Sequence, residues 1–298
     1  MPSVSSLEQA SAALRAASGE GRKLRIGTDL DAAGMTRVLE HEAGDLTCTV
    51  EAGIRLSALA AALAPSGQRL SLDPPGDPTI GACLAGNLSG PLRHRFGAPR
   101  DLVLGVTLVL ADGTIVNAGG KVVKNVAGYD LGKLVCGSQG RLALIGRVSL
   151  RLHPTPVAAG TVVVETRDAA SVATALLASQ LVPSALDVLH PGRVAVLFEG
   201  GAAAVATQVE AARALVGGRD ADDTVWAESR SRQAAAGGRM RFVPGELRAF
   251  LESVPEAVVR PATGAAYVPG PVADGTPRSV RLLQERVRER FDPQGVLA

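Results

Sequence analysis

Residues 119–130 read Gly119-Gly120-Lys121-Val122-Val123-Lys124-Asn125-Val126-Ala127-Gly128-Tyr129-Asp130, and beyond Leu131 the chain continues Gly132-Lys133-Leu134-Val135-Cys136-Gly137-Ser138-Gln139-Gly140. Glycines, lysines, an asparagine and one of only two tyrosines are packed here between strongly apolar segments. That is poor core material, since it offers little apolar area and many polar groups that burial would strand. Glycine has no Cβ to hold a ligand away, so backbone N–H groups can converge on an anion. Residues 81–97 (GACLAGNLSGPLRHRFG) repeat the pattern with Gly81, Gly86, Gly90 and Gly97, and add Asn87 and Ser89 as side-chain donors. Either stretch alone is equally well a set of tight turns between packed strands. Two in one domain point to a large, flat, polyanionic ligand.

The flanks are easier to read. Ser5 with Glu8 forms a capping box ahead of a helix carrying Leu7, Ala10 and Leu14 on one side. Residues 46–52 alternate as a half-buried strand, and Leu56, Leu59, Ala60 and Leu63 have helical spacing up to Pro65. Residues 71–105 carry so much glycine and proline that they read as one long loop, and such loops inside compact domains are usually functional. A hairpin turns around Asp112-Gly113. A strand over 141–152 sets Leu142, Leu144, Val148, Leu150 and Leu152 on one face and Arg141, Arg147 and Arg151 on the other, as in a sheet with one buried and one wet face.

Pro154 and Pro156 mark a change of texture. Strands at 161–165 and 193–199 then alternate with helices at 169–179 and 202–215, which predicts a second, smaller α/β unit. Residues 216–245 have little pattern, while 246–251 and 279–291 are helical, the latter with Leu283, Val287 and Phe291 every four residues.

With 298 residues the chain can bury a sizeable core, and with 46% hydrophobic but only 3% aromatic residues that core is aliphatic. A net charge of +2 with both signs interspersed disfavours a nucleic-acid partner. No apolar run reaches the length of a membrane span, and the N-terminus has no basic-then-apolar signal pattern, so the expected location is the cytoplasm. Cys48, Cys83 and Cys136 are too scattered for a metal site or a disulfide framework and read as buried reduced thiols. GxGxxG, GxxxxGK[ST] and GxSxG are all missing, which removes the Rossmann, P-loop and serine-hydrolase readings.

GGKVVKNVAGYDLGKLVCGSQG, preceded by GNLSGPLRHRFGAPRDLVLGVTLVLADG and answered at the C-terminus by RFDPQGVLA, resembles the vanillyl-alcohol-oxidase (PCMH-type) FAD-binding flavoproteins, and within them the FAD-binding subunits of bacterial glycolate oxidases. The resemblance runs from about Leu46 to Pro156 and returns in the tail. It implies an α+β fold: a two-subdomain FAD-binding domain over 1–155, a smaller α/β cap over 156–276, and a C-terminal helix over 277–298 that returns to the first domain. It also implies the cofactor contacts. Pro75, Thr79, Ile80, Gly81, Asn87, Ser89, Gly90 and Gly97 would pass the pyrophosphate and flavin. Lys124, Asn125, Gly128, Tyr129 and Asp130 would line the flavin and ribityl side, with Asp130 capping the next helix. Gly140, Leu142 and Ile145 would offer backbone groups.

The sequence departs from the family at three places. The usual Arg-Gly-Gly-Gly-Thr loop is reduced to Gly27-Thr28, the second loop has Gly81-Ala82 for Gly-Gly, and Gly140-Arg141-Leu142-Ala143 replaces Gly-x-Leu-Gly. No His or Cys stands where such proteins attach flavin covalently, so FAD would be noncovalent. The resemblance implies oxidation of a small 2-hydroxy acid such as glycolate or D-lactate, in a complex with a second flavoprotein subunit and an iron–sulfur subunit. His94, between Arg93 and Arg95, is the candidate base, with an exposed basic turn as its plainer alternative. His41, His153 and His190 read as structural, and no metal ligand set is visible. The three departures leave a second reading open, an FAD-free assembly subunit of a flavoprotein complex.

Overall fold

The computed structural model describes residues 3–120 and 129–298. Its first part holds strands β1 (Val38–Glu42), β2 (Thr47–Glu51), β3 (Gln68–Arg69), β4 (Val103–Val109), β5 (Ile115–Gly119), β6 (Leu144–Arg151) and β7 (His153–Pro154). Five of them form an antiparallel sheet in the order β1-β2-β6-β4-β5, and β3 pairs with β7. The predicted hairpin is β4–β5, with Val106 opposite Ala118 and Val109 opposite Ile115.

β6 corrects the predicted one-faced alternation. Arg147 pairs with Thr107, but the next rung joins Ile145 to Leu108, so Gly146 is bulged out and the side-chain phase reverses there. Val148 and Leu150 therefore face the core that holds Leu59, Leu63, Ile80 and Leu84, while Leu144 faces the other side. Helix α1 (Leu7–Glu20) covers that other side, where Leu7, Ala10 and Leu14 pack with Val109 and Leu144. Both faces are thus closed at this end of the sheet. The last residues join the same layer, with Val296 and Leu297 buried and Leu24 N–H bonded to the Val296 carbonyl at 2.7 Å.

The helix start of α1 lies one residue further on than its expected box. Ser6 is the cap, its hydroxyl accepting from Gln9 N, and Gln9 Oε1 in return accepts from Ser5 N at 2.9 Å. Helix α2 (Leu56–Leu63) ends before Pro65 as its spacing predicts. The long loop over 71–105 is not irregular throughout. It contains α3 (Ile80–Gly86), α4 (Arg93–Phe96) and α5 (Pro99–Leu102), helices too short to show a period of 3.6. Asp130 caps α6 (Leu131–Val135) by accepting from Lys133 N at 3.0 Å.

Beyond Pro156 the strands are β8 (Ala158–Glu165), β9 (Ala185–His190), β10 (Arg193–Gly200), β11 (Arg219–Ala221), β12 (Gly238–Arg241), β13 (Ala257–Arg260) and β14 (Ala265–Val268). They form a seven-stranded antiparallel sheet, β11-β8-β10-β9-β13-β14-β12. Helices α7 (Ala169–Ala178), α8 (Ala202–Val216) and α10 (Leu247–Ser253) cover one face through Leu176, Val205 and Phe250, against Val162, Val196 and Phe198. The unpatterned stretch over 216–245 supplies β11, β12 and α9 (Thr224–Ala234), whose Trp226 covers the opposite face with its indole N–H on Thr161 Oγ1 at 2.9 Å. Leu92 and Phe96 from the loop over 71–105 pack on that same face. The C-terminal helix α11 (Arg278–Phe291) has the expected apolar side, yet none of its residues is buried. No helix among the described residues is long and apolar enough to cross a membrane.

The two sheets are also joined by charge. Arg69 on β3 grips Glu199 on β10 through two bonds of 2.7 and 2.6 Å. Its rung partner His153 lies 4.7 Å from the Phe96 ring.

Truncating Phe198, which is fully buried in the second core, should destabilise the chain by about 3–5 kcal/mol. Denaturant melts of the Phe198→Ala protein check this; a loss under about 1 kcal/mol would mean that the second core is not packed as described. His153 gives a pH dependence. Burial, then Arg151, Arg69 and Arg95, hold its imidazole down at about 4, against an unfolded value of about 6.5. The folded state therefore binds fewer protons, and the stability present above pH ~6.5 is lost as pH falls toward 4. Melting temperatures measured from pH 7 to pH 4.5 should fall, and fall less in His153→Phe, which keeps the ring contact.

Candidate functional site

The first sheet and α3 enclose a cleft of about 470 Å³, within the usual range for small-molecule and cofactor sites. Its walls come from four stretches: Ile26-Gly27 with Asp31 to Ala33, Ala52-Gly53 after β2, Thr79 to Gly86, and Gln139 to Ile145. Most wall residues are glycine or alanine, so a ligand lies largely against backbone.

Local chemistry builds each wall. Thr79 caps α3, its hydroxyl accepting from Ala82 N at 3.2 Å, and Gly81 N–H ties the helix start to the Ala52 carbonyl at 2.7 Å. Asn87 closes α3 in the left-handed conformation, φ 47°, which asparagine tolerates better than most residues. The turn over 137–139 docks on that helix end, Gly137 N–H on the Leu84 carbonyl and Gln139 N–H on the Ala85 carbonyl, both at 2.9 Å. Gly140 follows at φ 77°, so close to Ile26 that an added Cβ would stand 2.7 Å from the Ile26 Cβ. Only glycine fits there.

Of the residues that sequence places at the cofactor, Gly27, Thr79, Gly81, Gly140 and Ile145 meet in this cleft. Leu142 is buried beside it, and Ile80 points into the core below. Thr28 lies on a turn closed upon itself: Thr28, Asp29 and Leu30 amides all donate to the Arg25 carbonyl, while Arg25 holds the Asp29 carboxyl below its ordinary range. Pro75 lies outside the cleft walls, as do Gly97, whose neighbour Ala98 N–H reaches Asp101 at 2.8 Å, and Tyr129, which is 92% exposed. Asp130 is the cap of α6 and pairs with Lys133 Nζ at 3.0 Å. Lys124, Asn125 and Gly128 fall outside the described residues.

Asn87, Ser89 and Gly90 continue from the cleft toward the second sheet. Asn87 Oδ1 and the nearby Ser138 Oγ are buried with no hydrogen-bond partner among the described residues. Most buried polar groups in folded chains are paired, so each such atom calls for a partner such as water or a ligand. Ser89 is buried, its hydroxyl accepting from Arg93 Nη1 at 3.2 Å. Gly90 presses on Asp73, whose Oδ1 accepts from Leu92 N at 3.1 Å. Burial pushes the Asp73 carboxyl up to about 7 although Arg260 and Arg230 draw it down. His94 is half-buried in the same seam, where loss of solvent lowers its imidazole and Asp187 works against the shift.

Sequence reasoning passed over Gly53 and Ala32, which line the cleft, and Gln233, Arg260 and Asp187, which reach the seam from the second sheet. Gly53 follows a legible strand and could have been found. The remaining histidines are structural contacts: His41 Nε2 meets Gln68 Oε1 at 2.9 Å and His190 Nε2 meets the Val254 carbonyl at 3.1 Å. Cys48, Cys83 and Cys136 are free, and burial pushes each thiol up to about 12.

A cleft walled mostly by glycine and alanine fits a flat dinucleotide, and known proteins point the same way. The FAD binding domain family matches residues 15–119. The Escherichia coli protein named glycolate oxidase subunit GlcE is 32% identical over 214 residues, 70% of this chain and 59% of that protein. Glycolate oxidase subunit GlcD of Bacillus subtilis is 34% identical over 160 residues, 52% of this chain and 34% of that one. Mitochondrial D-lactate dehydrogenase [cytochrome] 1 of Saccharomyces cerevisiae is 33% identical over 158 residues, 52% of this chain and 27% of that one. The chain thus spans between 27% and 59% of the length of these relatives. In three dimensions it follows alkyldihydroxyacetonephosphate synthase with a TM-score of 0.73 over 99% of this chain and 74% of that one, at 16% identity, a likeness of fold. Over residues 15–119 the chain is thus similar to the FAD binding domain family, and its fold as a whole follows that of a solved structure.

Proposed function

We propose that the chain is the FAD-binding subunit of an oxidoreductase that oxidises a small 2-hydroxy acid such as glycolate or D-lactate. The observation that carries the reading is the cleft walled mostly by glycine and alanine, with the unsatisfied Asn87 Oδ1 and Ser138 Oγ one residue along the chain from its walls at Gly86 and Gln139. In this reading Gly27, Thr79, Gly81, Gly140 and Ile145 line the cleft, Leu142 is buried beside it, and Asn87, Ser89 and Gly90 run past the diphosphate toward the ring. Lys124, Asn125, Gly128, Tyr129 and Asp130 complete the ring side. Among the described residues no His or Cys lines the cleft, which supports a noncovalently held FAD. When bound it supplies a hydride acceptor. The chain's own part is to hold it and shield it from water. His94 is the candidate base: desolvation favours its neutral form, which can accept a hydroxyl proton.

The same reading divides the chain into an FAD domain over 1–155, a cap over 156–276 and a returning C-terminal segment over 277–298. It gives the chain a second flavoprotein subunit and an iron–sulfur subunit as partners, in the cytoplasm. The names of the GlcE and GlcD relatives support a multi-subunit oxidase.

The purified chain should be yellow, release FAD on acid treatment, and rebind it. In Asn87→Gly, which keeps the left-handed turn and removes the Oδ1 acceptor, FAD binding should weaken about five- to tenfold in a fluorescence titration. A folded, colourless protein that ignores added FAD sinks the reading. Reduction of an artificial acceptor by glycolate or D-lactate should require the partner subunits; full turnover by this chain alone would remove them from the reaction.

A further inference from the structure

The carbonyl of Ser89 is gripped by the second sheet. Gln233 Nε2, on α9, donates to it at 2.9 Å, and Arg260 Nη1, at the end of β13, approaches it at 3.5 Å. Arg260 also donates to Gln233 Oε1 at 2.5 Å and to the Tyr267 hydroxyl at 3.0 Å, and its Nε lies 3.4 Å from Asp187 Oδ1. Ser229 Oγ completes the set by donating to Asp187 Oδ2 at 2.5 Å. Arg260 and Asp187 are 1% and 0% exposed.

Burying such a pair costs several kcal/mol per ion before their attraction is counted, and apolar residues of equal size often do as well for stability. A buried pair whose free donors end on a loop carbonyl calls for a reason other than stability. The loop supplies one. A trans peptide sets C=O and N–H antiparallel, so fixing the Ser89 carbonyl toward α9 fixes the Gly90 N–H on the opposite side, away from the second sheet. From beneath, Asp73 holds Leu92 N–H and leaves no room for a Cβ at Gly90.

We infer that Gln233 and Arg260 are positioning residues that clamp the Ser89–Gly90 peptide so that its N–H is presented to the flavin cofactor, which neither side chain touches. This rests on the FAD reading above. It makes the second sheet a participant in cofactor binding through the loop, beyond any role as a cover.

Gln233→Glu tests the clamp, because it keeps a partner for Arg260 and replaces the N–H that Ser89 receives with a carboxylate oxygen that repels the carbonyl. Two readouts are needed on the full chain. In the cofactor-free protein, amide hydrogen exchange over 88–97 should rise about five- to tenfold in the variant while the strands of the second sheet stay protected. In the FAD-loaded protein, FAD affinity should fall by a similar factor, and the flavin midpoint potential should shift, which loss of overall stability alone would not cause. Unchanged exchange in the variant overturns the clamp, whatever FAD does. Faster exchange with unchanged FAD affinity and potential overturns its link to the cofactor. Faster exchange in a chain whose wild type takes up no FAD leaves the clamp standing and overturns the FAD reading instead. Should the Glu variant fail to fold, Gln233→Met, of similar volume and without donor or acceptor, carries the same two readouts.

Discussion

The structure depends on one shared segment. Leu92 and Phe96 belong by sequence to the loop that follows the cleft helix α3, yet their apolar surface is buried against the second sheet, among Ala195, Leu197, Trp226 and Val258. The first sheet can therefore bury its own loop only by keeping the second sheet in place. The Arg69–Glu199 fork, and the Phe96 ring between His153 and two arginine guanidiniums, lie along the same line. Removing the second sheet would expose this loop and strand Asp73 and Arg93 in a half-solvated state. The loop over 71–105 and the second sheet are one packing problem.

What the sequence made legible follows from the range of the forces involved. Period-two and period-3.6 patterns are local, and they found β2, α2, the hairpin, β10, α7 and α8 nearly to the residue. Where the pattern is short or interrupted they failed. Helices α3, α4 and α5 have four to seven residues, less than two full turns, and glycine and proline obscured them. The apolar side of α9 is only Val225 and Trp226, since its other inward residue is Ser229, and serine gives no periodic signal. The bulge at Gly146 could not be read from β6 alone, because it is imposed by the partner strand β4 and by the close approach of Leu7.

The site divides the same way. Glycine betrays a binding loop because its cause is local backbone freedom, and Gly27, Gly81 and Gly140 do meet at the cleft. The residues that hold the loop are far off in sequence, Gln233 at 144 positions and Arg260 at 171 from Ser89. Their meeting depends on the register of β9, β13 and β14, in which Val259 pairs with Val188 and Arg260 with Ala265. No single-chain pattern encodes that register, so an arginine at a strand end looks like any surface charge until the sheet is assembled.

The shortened N-terminal loop bears on how the diphosphate is held. Its amides at Thr28, Asp29 and Leu30 converge on one carbonyl, that of Arg25, and Gly27 N–H returns to Leu30, so the turn uses its donors on itself. A doubly charged group draws about 1.5–3 kcal/mol from each charge-assisted bond and must find those donors elsewhere. The remaining candidates are the turn at Asn87 and Ser138 and the peptide after Ser89. On the FAD reading, affinity then rests on the segment after α3, whose Ser89 carbonyl is braced from α9 and β13. The buried Arg260–Asp187 pair acts on the cofactor only through that loop.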